Sequence, residues 1–317
     1  MLRPEDYLSY RETAVAILGR HDGATAVEAF GLDDLFDDST ATTDLTPAFA
    51  FLEAQGYHGA VTPALGLVGL VACSSPGGPR MLLGSRVGAG RLVGVPGMTA
   101  STVVAVDRAG TGLVALDDAS SLVRAQAAPV ADDYLTILDA DKADATTVVA
   151  EDELNGRRAA MLAHTQLGAS AEILGVVDRL LEDAVVYAQQ RRQFGRAVAS
   201  YQSMQHLLAW AATERHELVS LLDVAVAQSA GGTVDPQLAR AVKAMAGRVL
   251  HAVVQTAIQV IGGISFTWEY SLNRFHRRGL ALDQLAGASA DLIAAMGRQV
   301  RTEGVVPGLF ELADVTN

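Results

Sequence analysis

From Arg157 onward the apolar residues recur at helical spacing with few interruptions, and this long run limits the fold more than any other feature of the sequence. Ile173, Leu174, Val177, Leu180, Leu181 and Ala184 share one helical face, the three-to-four spacing that buries a single stripe. A second long helix is expected from about Ser200 to Gln228, with Met204, Leu207, Leu208, Leu218, Leu221 and Leu222 turned inward. GGTVDP interrupts the pattern, and Asp235-Pro236 reads as the N-cap and first-turn proline of a third helix. Gly262-Gly263 supplies a C-cap for that helix, and a fourth helical segment covers roughly Ala288 to Thr302. Long helices separated by short breaks predict an antiparallel bundle over residues 151–317.

The earlier part of the chain differs. Residues 1–75 alternate helical apolar spacing with polar loops, as in TPAFAFLEAQGY, and are expected to form a helical domain. Residues 76–150 carry short Val/Leu/Thr runs punctuated by Gly and Pro, the pattern of a small β domain. Half of the chain is apolar but only 5% is aromatic, so Ala, Val and Leu must do most of the packing, which favours helices. The expected class is therefore mostly α with a small β domain.

Composition also narrows function. A formal charge of −12 argues against a nucleic-acid partner, because no polybasic surface is easily assembled from it. The acidic stretch from Gly31 to Asp44 reads as a solvated loop. Cys73 is the only cysteine, so no disulfide framework or CxxC metal site exists, and its apolar surroundings make it a small core residue. AVTPALGLVGLVAC is shorter than the roughly 20 residues a bilayer span needs. No signal peptide is recognised, so a cytoplasmic protein without a membrane partner is expected.

Two motifs invite chemistry that their contexts refuse. GAGRLVG, Gly88 to Gly94, resembles a dinucleotide fingerprint, but such a loop binds pyrophosphate only when a helix N-terminus follows. VPGMTAS follows instead, so these glycines read as β-turns. TERHE, Thr213 to Glu217, suggests a di-iron bundle site, which needs Glu-x-x-His pairs from more than one helix. Glu214 and His216 are two apart and point to different faces, so a solvated helix face is expected. His21, His58, His164, His206, His251 and His276 show no metal spacing either.

YAQQRRQFGRAVASYQ, Tyr187 to Gln202, gathers three arginines around a Phe-Gly pair at the end of the first long helix. Neighbours on a helix are about 100° apart, so Arg191 and Arg192 cannot address one anion from the same face. Arg191 lies near the helix C-terminus, where a cation also complements the dipole, so a stabilising charge and an anion contact are both open readings.

The order R-x-Q-F-G with Gln202 downstream, then AIQVIGGISFTWEYSLNRFHRR with its Q-x-x-G-G, resembles the acyl-CoA dehydrogenase family over about residues 155–305. The resemblance implies N-terminal helices, a reduced middle β-barrel and a C-terminal four-helix bundle, with FAD at a subunit interface. It implies that Arg191 clamps the FAD pyrophosphate with its planar fork, with Gln193, Phe194 and Gln202 at the same site. It also implies Gln259, Gly262 and Gly263 against the ADP half of the cofactor, serving a flavin seated in the neighbouring subunit.

Two departures qualify it. The family reaction needs a carboxylate base at the acyl α-carbon. Counting forward without gaps from Arg277-Arg278, one family base position falls on Ala286; the other, ten residues before Gly175, falls on Thr165. Asp283 is the closest substitute, with Glu172 and Glu269 further candidates, although Glu269 is expected to pair with Arg274 or Arg278. The family's Thr-Glu-Pro-x-x-Gly-Ser-Asp flavin-ring loop also has no counterpart; the nearest stretch is ACSSPGGPR. The resemblance is closest to the short subunits of actinobacterial heteromeric, steroid side-chain type acyl-CoA dehydrogenases. A longer catalytic subunit, in a heterodimer or heterotetramer, would then supply the base and flavin-ring pocket for an acyl-CoA substrate. The alternatives are a self-sufficient enzyme with a relocated base and a structural bundle without cofactor contact.

Overall fold

A computed structural model describes residues 6–32, 44–71, 81–83, 85–86, 92–97, 102–106, 113–116, 118–123, 134–139, 145–147, 151–229 and 234–304. Cys73, most of the acidic stretch after Leu32, ACSSPGGPR and the glycines at 88 and 90 lie outside the described residues. Four helices come first: α1 (Tyr7–Leu18), α2 (Gly23–Phe30), α3 (Thr46–His58) and α4 (Ala64–Leu70). Short strands follow: β1 (Met81–Leu83), β2 (Ser85–Arg86), β3 (Leu92–Pro96), β4 (Thr102–Val106), β5 (Leu113–Leu116), β6 (Leu135–Asp139) and β7 (Ala145–Thr147). They form two sheets in the orders β1-β4-β5-β7 and β2-β3-β6, antiparallel except for the β1–β4 pair. GAGRLVG thus runs into strand β3 and not into a helix, which removes the geometry a dinucleotide fingerprint requires.

The second half is helical: α5 (Glu151–Gln190), α6 (Gln202–Ser229), α7 (Pro236–Ile261), α8 (Ser271–Gln284) and α9 (Ser289–Glu303). Asp235 caps α7 as expected, its side chain accepting from Gln237 N with Pro236 at the first turn. Helix α8 was not expected, because SLNRFHRRGLALDQ places three arginines and a glycine inside its apolar pattern.

The core explains the order of packing. Helix α5 lies between α3 on one side and α7 on the other, so residues 163–177 are buried all round. Close approach of α3 and α5 depends on two glycines facing opposite ways. A Cβ on Gly56 would stand 2.0 Å from Glu172 O, and one on Gly175 would stand 1.9 Å from Glu53 O. Helix α7 is long and apolar enough to cross a bilayer, yet its apolar stripe, including Val242, Val249 and Val253, is buried within the bundle. Phe49, Leu52, Ile173, Leu180, Leu222 and Leu250 belong to one cluster joining N-terminal helices and bundle, while Val93, Val95, Val103 and Leu138 form a second between the strands.

Helix α6 departs from the expected pattern in its first half. Leu218 and Leu222 are buried, whereas Met204, Leu207 and Leu208 are only half-buried and Trp210 is exposed. A groove opens beside the first of these turns, with Met204 in its wall.

Candidate functional site

The groove is built from the end of α5. Arg191 N closes the last helical hydrogen bond, to Tyr187 O at 2.8 Å, and the chain then turns into a hairpin of two two-residue strands, β8 (Arg192–Gln193) and β9 (Arg196–Ala197). The ladder pairs Arg192 with Ala197 and Gln193 with Arg196. Phe194 and Gly195 form the turn with φ of +49° and +81°, both left-handed, the mirror-image geometry that matches strand twist in a tight hairpin. Gly195 has open space where a Cβ would stand, so conformation and not crowding selects glycine there. Phe194 has no such freedom: the turn holds an aromatic residue in a disfavoured conformation with its side chain 93% exposed.

The opposite wall is the C-terminal end of α7. Gln259, Ile261 and Gly262 face Tyr187, Arg191, Gln193 and Phe194 across an open groove of about 340 Å3. Five of the expected contact residues, Arg191, Gln193, Phe194, Gln259 and Gly262, are thus brought together by two segments distant in sequence. Gln202 and Gly263 are not in the lining: Gln202 is the exposed first residue of α6, and Gly263 opens the short turn after α7. The Arg191 guanidinium makes no hydrogen bond or ion pair with another described residue. No Asp or Glu occurs between Asp183 and Glu214, so three arginines stand in an acid-free stretch of an acidic chain. Such a groove suits an anion, and its volume holds part of a dinucleotide.

One position considered for a base, Ala286, is bonded by the residue next to the other. Gln166, beside Thr165, donates from Nε2 to Ala286 O at 3.0 Å, while Thr165 Oγ1 donates to Met161 O. Ala286 and Gly287 have φ of +56° and +108°, so a strained loop is held here with no ionisable side chain on it.

The substitute carboxylates are engaged elsewhere. Glu172 is fully buried, accepts from Tyr134 Oη at 2.8 Å and from Arg278 Nε at 3.0 Å, and forms a second, shorter bond with Arg278. Asp283 is buried too, accepting from Ser289 N and Ser289 Oγ, with Lys243 Nζ 3.5 Å from Oδ1. Lys243 Nζ also donates to Asp283 O and Gly287 O, and burial lowers this lysine to about 8 although Asp283 opposes the shift. Arg278 pairs with Glu172 and not with Glu269, which is exposed. In TERHE, His216 and Glu217 are exposed as expected, but both Glu214 and Glu217 pair with Arg248 of α7. Among the described residues no cluster of His, Cys, Asp or Glu could hold a metal ion.

His164 was passed over as one of several histidines without metal spacing, yet it is buried beside Thr165, with Nδ1 lacking a hydrogen-bond partner among the described residues. Desolvation lowers it to about 4 from an ordinary 6.5. A histidine depressed on folding binds fewer protons in the folded state, so its contribution is present above about pH 6.5 and is lost as the pH falls towards 4. About 3 kcal/mol is expected to disappear across that window. Denaturation of the wild type and His164→Phe at a series of pH values tests this: the variant should show a shallower acid slope, and equal slopes would refute the assignment.

Comparison with known proteins bears on this geometry. A sequence model of the acyl-CoA dehydrogenase C-terminal domain matches residues 156–300, which include every expected cofactor contact. These residues form an acyl-CoA dehydrogenase C-terminal domain. Acyl-CoA dehydrogenase FadE34 of Mycobacterium tuberculosis is 35% identical over 143 residues, 43% of this chain and 19% of that one. Acyl-CoA dehydrogenase IpdE2 of Mycolicibacterium smegmatis is 29% identical over 156 residues, 49% of this chain and 47% of that one. The chain therefore spans less than half the length of either relative. The acyl-CoA dehydrogenase fold extends beyond the domain. A variant of the Tcur3481-Tcur3483 steroid acyl-CoA dehydrogenase superimposes with a TM-score of 0.74 at 21% identity, covering 95% of this chain and 99% of that one. The ChsE4-ChsE5 complex of Mycobacterium tuberculosis gives 0.72 at 17% identity, covering 94% and 98%. Butyryl-CoA dehydrogenase of Megasphaera elsdenii gives 0.72 at 15% identity over the same shares.

Proposed function

We propose that the chain is a subunit of an FAD-dependent acyl-CoA dehydrogenase, contributing the ADP-side contacts to a flavin whose ring and catalytic base belong to a longer partner subunit. The carrying observation is the union of Tyr187–Tyr201 with Gln259–Gly262 in one groove around an arginine whose guanidinium has no partner among the described residues. Arg191 would grip the diphosphate through paired, charge-assisted hydrogen bonds, with Gln193, Phe194, Gln259 and Gly262 beside it and Gln202 and Gly263 at the margins. When bound, FAD supplies the acceptor for the β-hydride of an acyl-CoA thioester. This chain's part is to hold and orient the nucleotide end. Removal of the α-proton is assigned to the partner, because Thr165 and Ala286 carry no base and both Glu172 and Asp283 are consumed by buried ion pairs. That same consumption weighs against a self-sufficient enzyme using Asp283. The similarity to the steroid enzyme and to a two-protein complex supports a bulky acyl thioester as substrate and a heteromeric assembly.

Co-expression with a longer acyl-CoA dehydrogenase chain, followed by flavin quantified per chain, tests the proposal. The complex should be yellow and bleach with an acyl-CoA, while this chain alone should do neither. Arg191→Ala should weaken FAD binding by about 30-fold or more, the loss of a bidentate charged contact of about 2 kcal/mol or above. Flavin content unchanged in Arg191→Ala, or desaturation by the chain alone, would overturn it.

A further inference from the structure

We infer that Tyr201 is the positioning residue of the groove, fixing the hairpin so that Arg191 and Gln193 face the nucleotide; this rests on the function proposed above. The hairpin needs an external brace. Its strands are two residues each, all of Arg192–Arg196 is exposed, and its turn holds Phe194 at positive φ, so neither burial nor a long ladder keeps it in place. Two contacts reach it from Tyr201, at the foot of α6. The phenol Oη donates to Gln193 O at 3.0 Å, and the ring carries the Arg196 guanidinium on its face at 3.9 Å from the centroid. Gln193 and Arg196 are the ladder pair flanking the turn, so one side chain holds both strands at the same register. Val198 N closes the base of the hairpin on Arg191 O at 2.8 Å, which ties that register to the arginine. The stacked contact occupies Arg196, leaving Arg191 as the cation that faces the groove.

Tyr201→Phe removes only the hydroxyl, while Tyr201→Leu also removes the stacking face. The complex of this chain with a co-expressed longer acyl-CoA dehydrogenase chain would be stripped of flavin and titrated with FAD, alongside its melting temperature and amide exchange at Val198. Tyr201→Phe should weaken FAD binding by about 3- to 10-fold, the range expected for one hydrogen bond. Its melting temperature should stay unchanged and its Val198 amide should exchange faster; Tyr201→Leu should lose more. Wild-type affinity in Tyr201→Phe, with Arg191→Ala still defective, would overturn positioning and leave the proposed function standing. FAD loss accompanied by a lowered melting temperature would also overturn it, since Tyr201 would then be a general structural residue. If Arg191→Ala binds normally, the proposed function itself fails, and this inference with it.

Discussion

Replacing Arg278 with methionine is expected to cost about 3–5 kcal/mol of stability, because it strands a buried carboxylate. Arg278 in α8 is 3% exposed and Glu172 in α5 is not exposed at all. The guanidinium bonds Glu172 through Nε and a terminal nitrogen, and lies over the Tyr134 ring at 4.0 Å from its centroid. Tyr134 Oη completes the set by donating to the other carboxylate oxygen, and this tyrosine directly precedes β6. One charge pair therefore joins three segments: the central helix, the helix after the groove, and the sheet. Without Arg278 the carboxylate retains, among the described residues, the tyrosine alone, too little to offset its removal from water. Urea denaturation of Arg278→Met measures the loss. The triple variant Glu172→Met, Arg278→Met, Tyr134→Phe should recover much of it, since an apolar set leaves no polar group stranded. A loss below about 1 kcal/mol in the single variant would show that the pair is not the buried lock described here.

The parts of this network were visible in the sequence, but the network was not. The long helices were legible because their signals are local: the apolar period of α5, and Asp235-Pro236 at the start of α7 with Gly262 at its end. Helix α8 was hidden because Arg278 is buried there, and what makes its burial tolerable is Glu172, 106 residues away. Asp283 looked like a possible base for the same reason. Its partner Lys243 lies 40 residues earlier on another helix, and nothing in the local pattern marks that lysine as a core residue. The groove was half legible. Arg191, Gln193, Phe194, Gln259 and Gly262 were named from a motif and do converge, yet the brace on Tyr201 depends on a left-handed turn that only the folded backbone discloses. Met204, Leu207 and Leu208 were assigned inward by spacing alone, which records that a face is apolar but not whether anything covers it.

Gly175→Ala is expected to cost about 3 kcal/mol, at the upper end for one added methyl group. The new Cβ would stand 1.9 Å from Glu53 O and 2.6 Å from Tyr57 N. Both are backbone atoms of α3, so no side chain can rotate away, and α3 and α5 must separate by more than an ångström. That movement opens the contact along residues 46–56 of α3 and 163–177 of α5, all of them buried, and forfeits dispersion contacts over its length. Gly168→Ala is the matched comparison. Its Cβ would meet Leu65 Cδ1 at 2.8 Å and Leu52 Cδ1 at 3.1 Å, the ends of flexible side chains, and a cost of about 1 kcal/mol is expected. Equal melting temperatures for the two variants would mean that the helices yield as easily as a leucine tip. Gly175 lies one turn from Glu172, whose carbonyl receives the reciprocal contact from Gly56, so Gly175→Ala also shifts the carboxylate that Arg278 holds. The two losses should therefore be non-additive: in Gly175→Ala with Arg278→Met the combined cost should fall short of the sum, because each variant already removes part of the alignment on which the other acts.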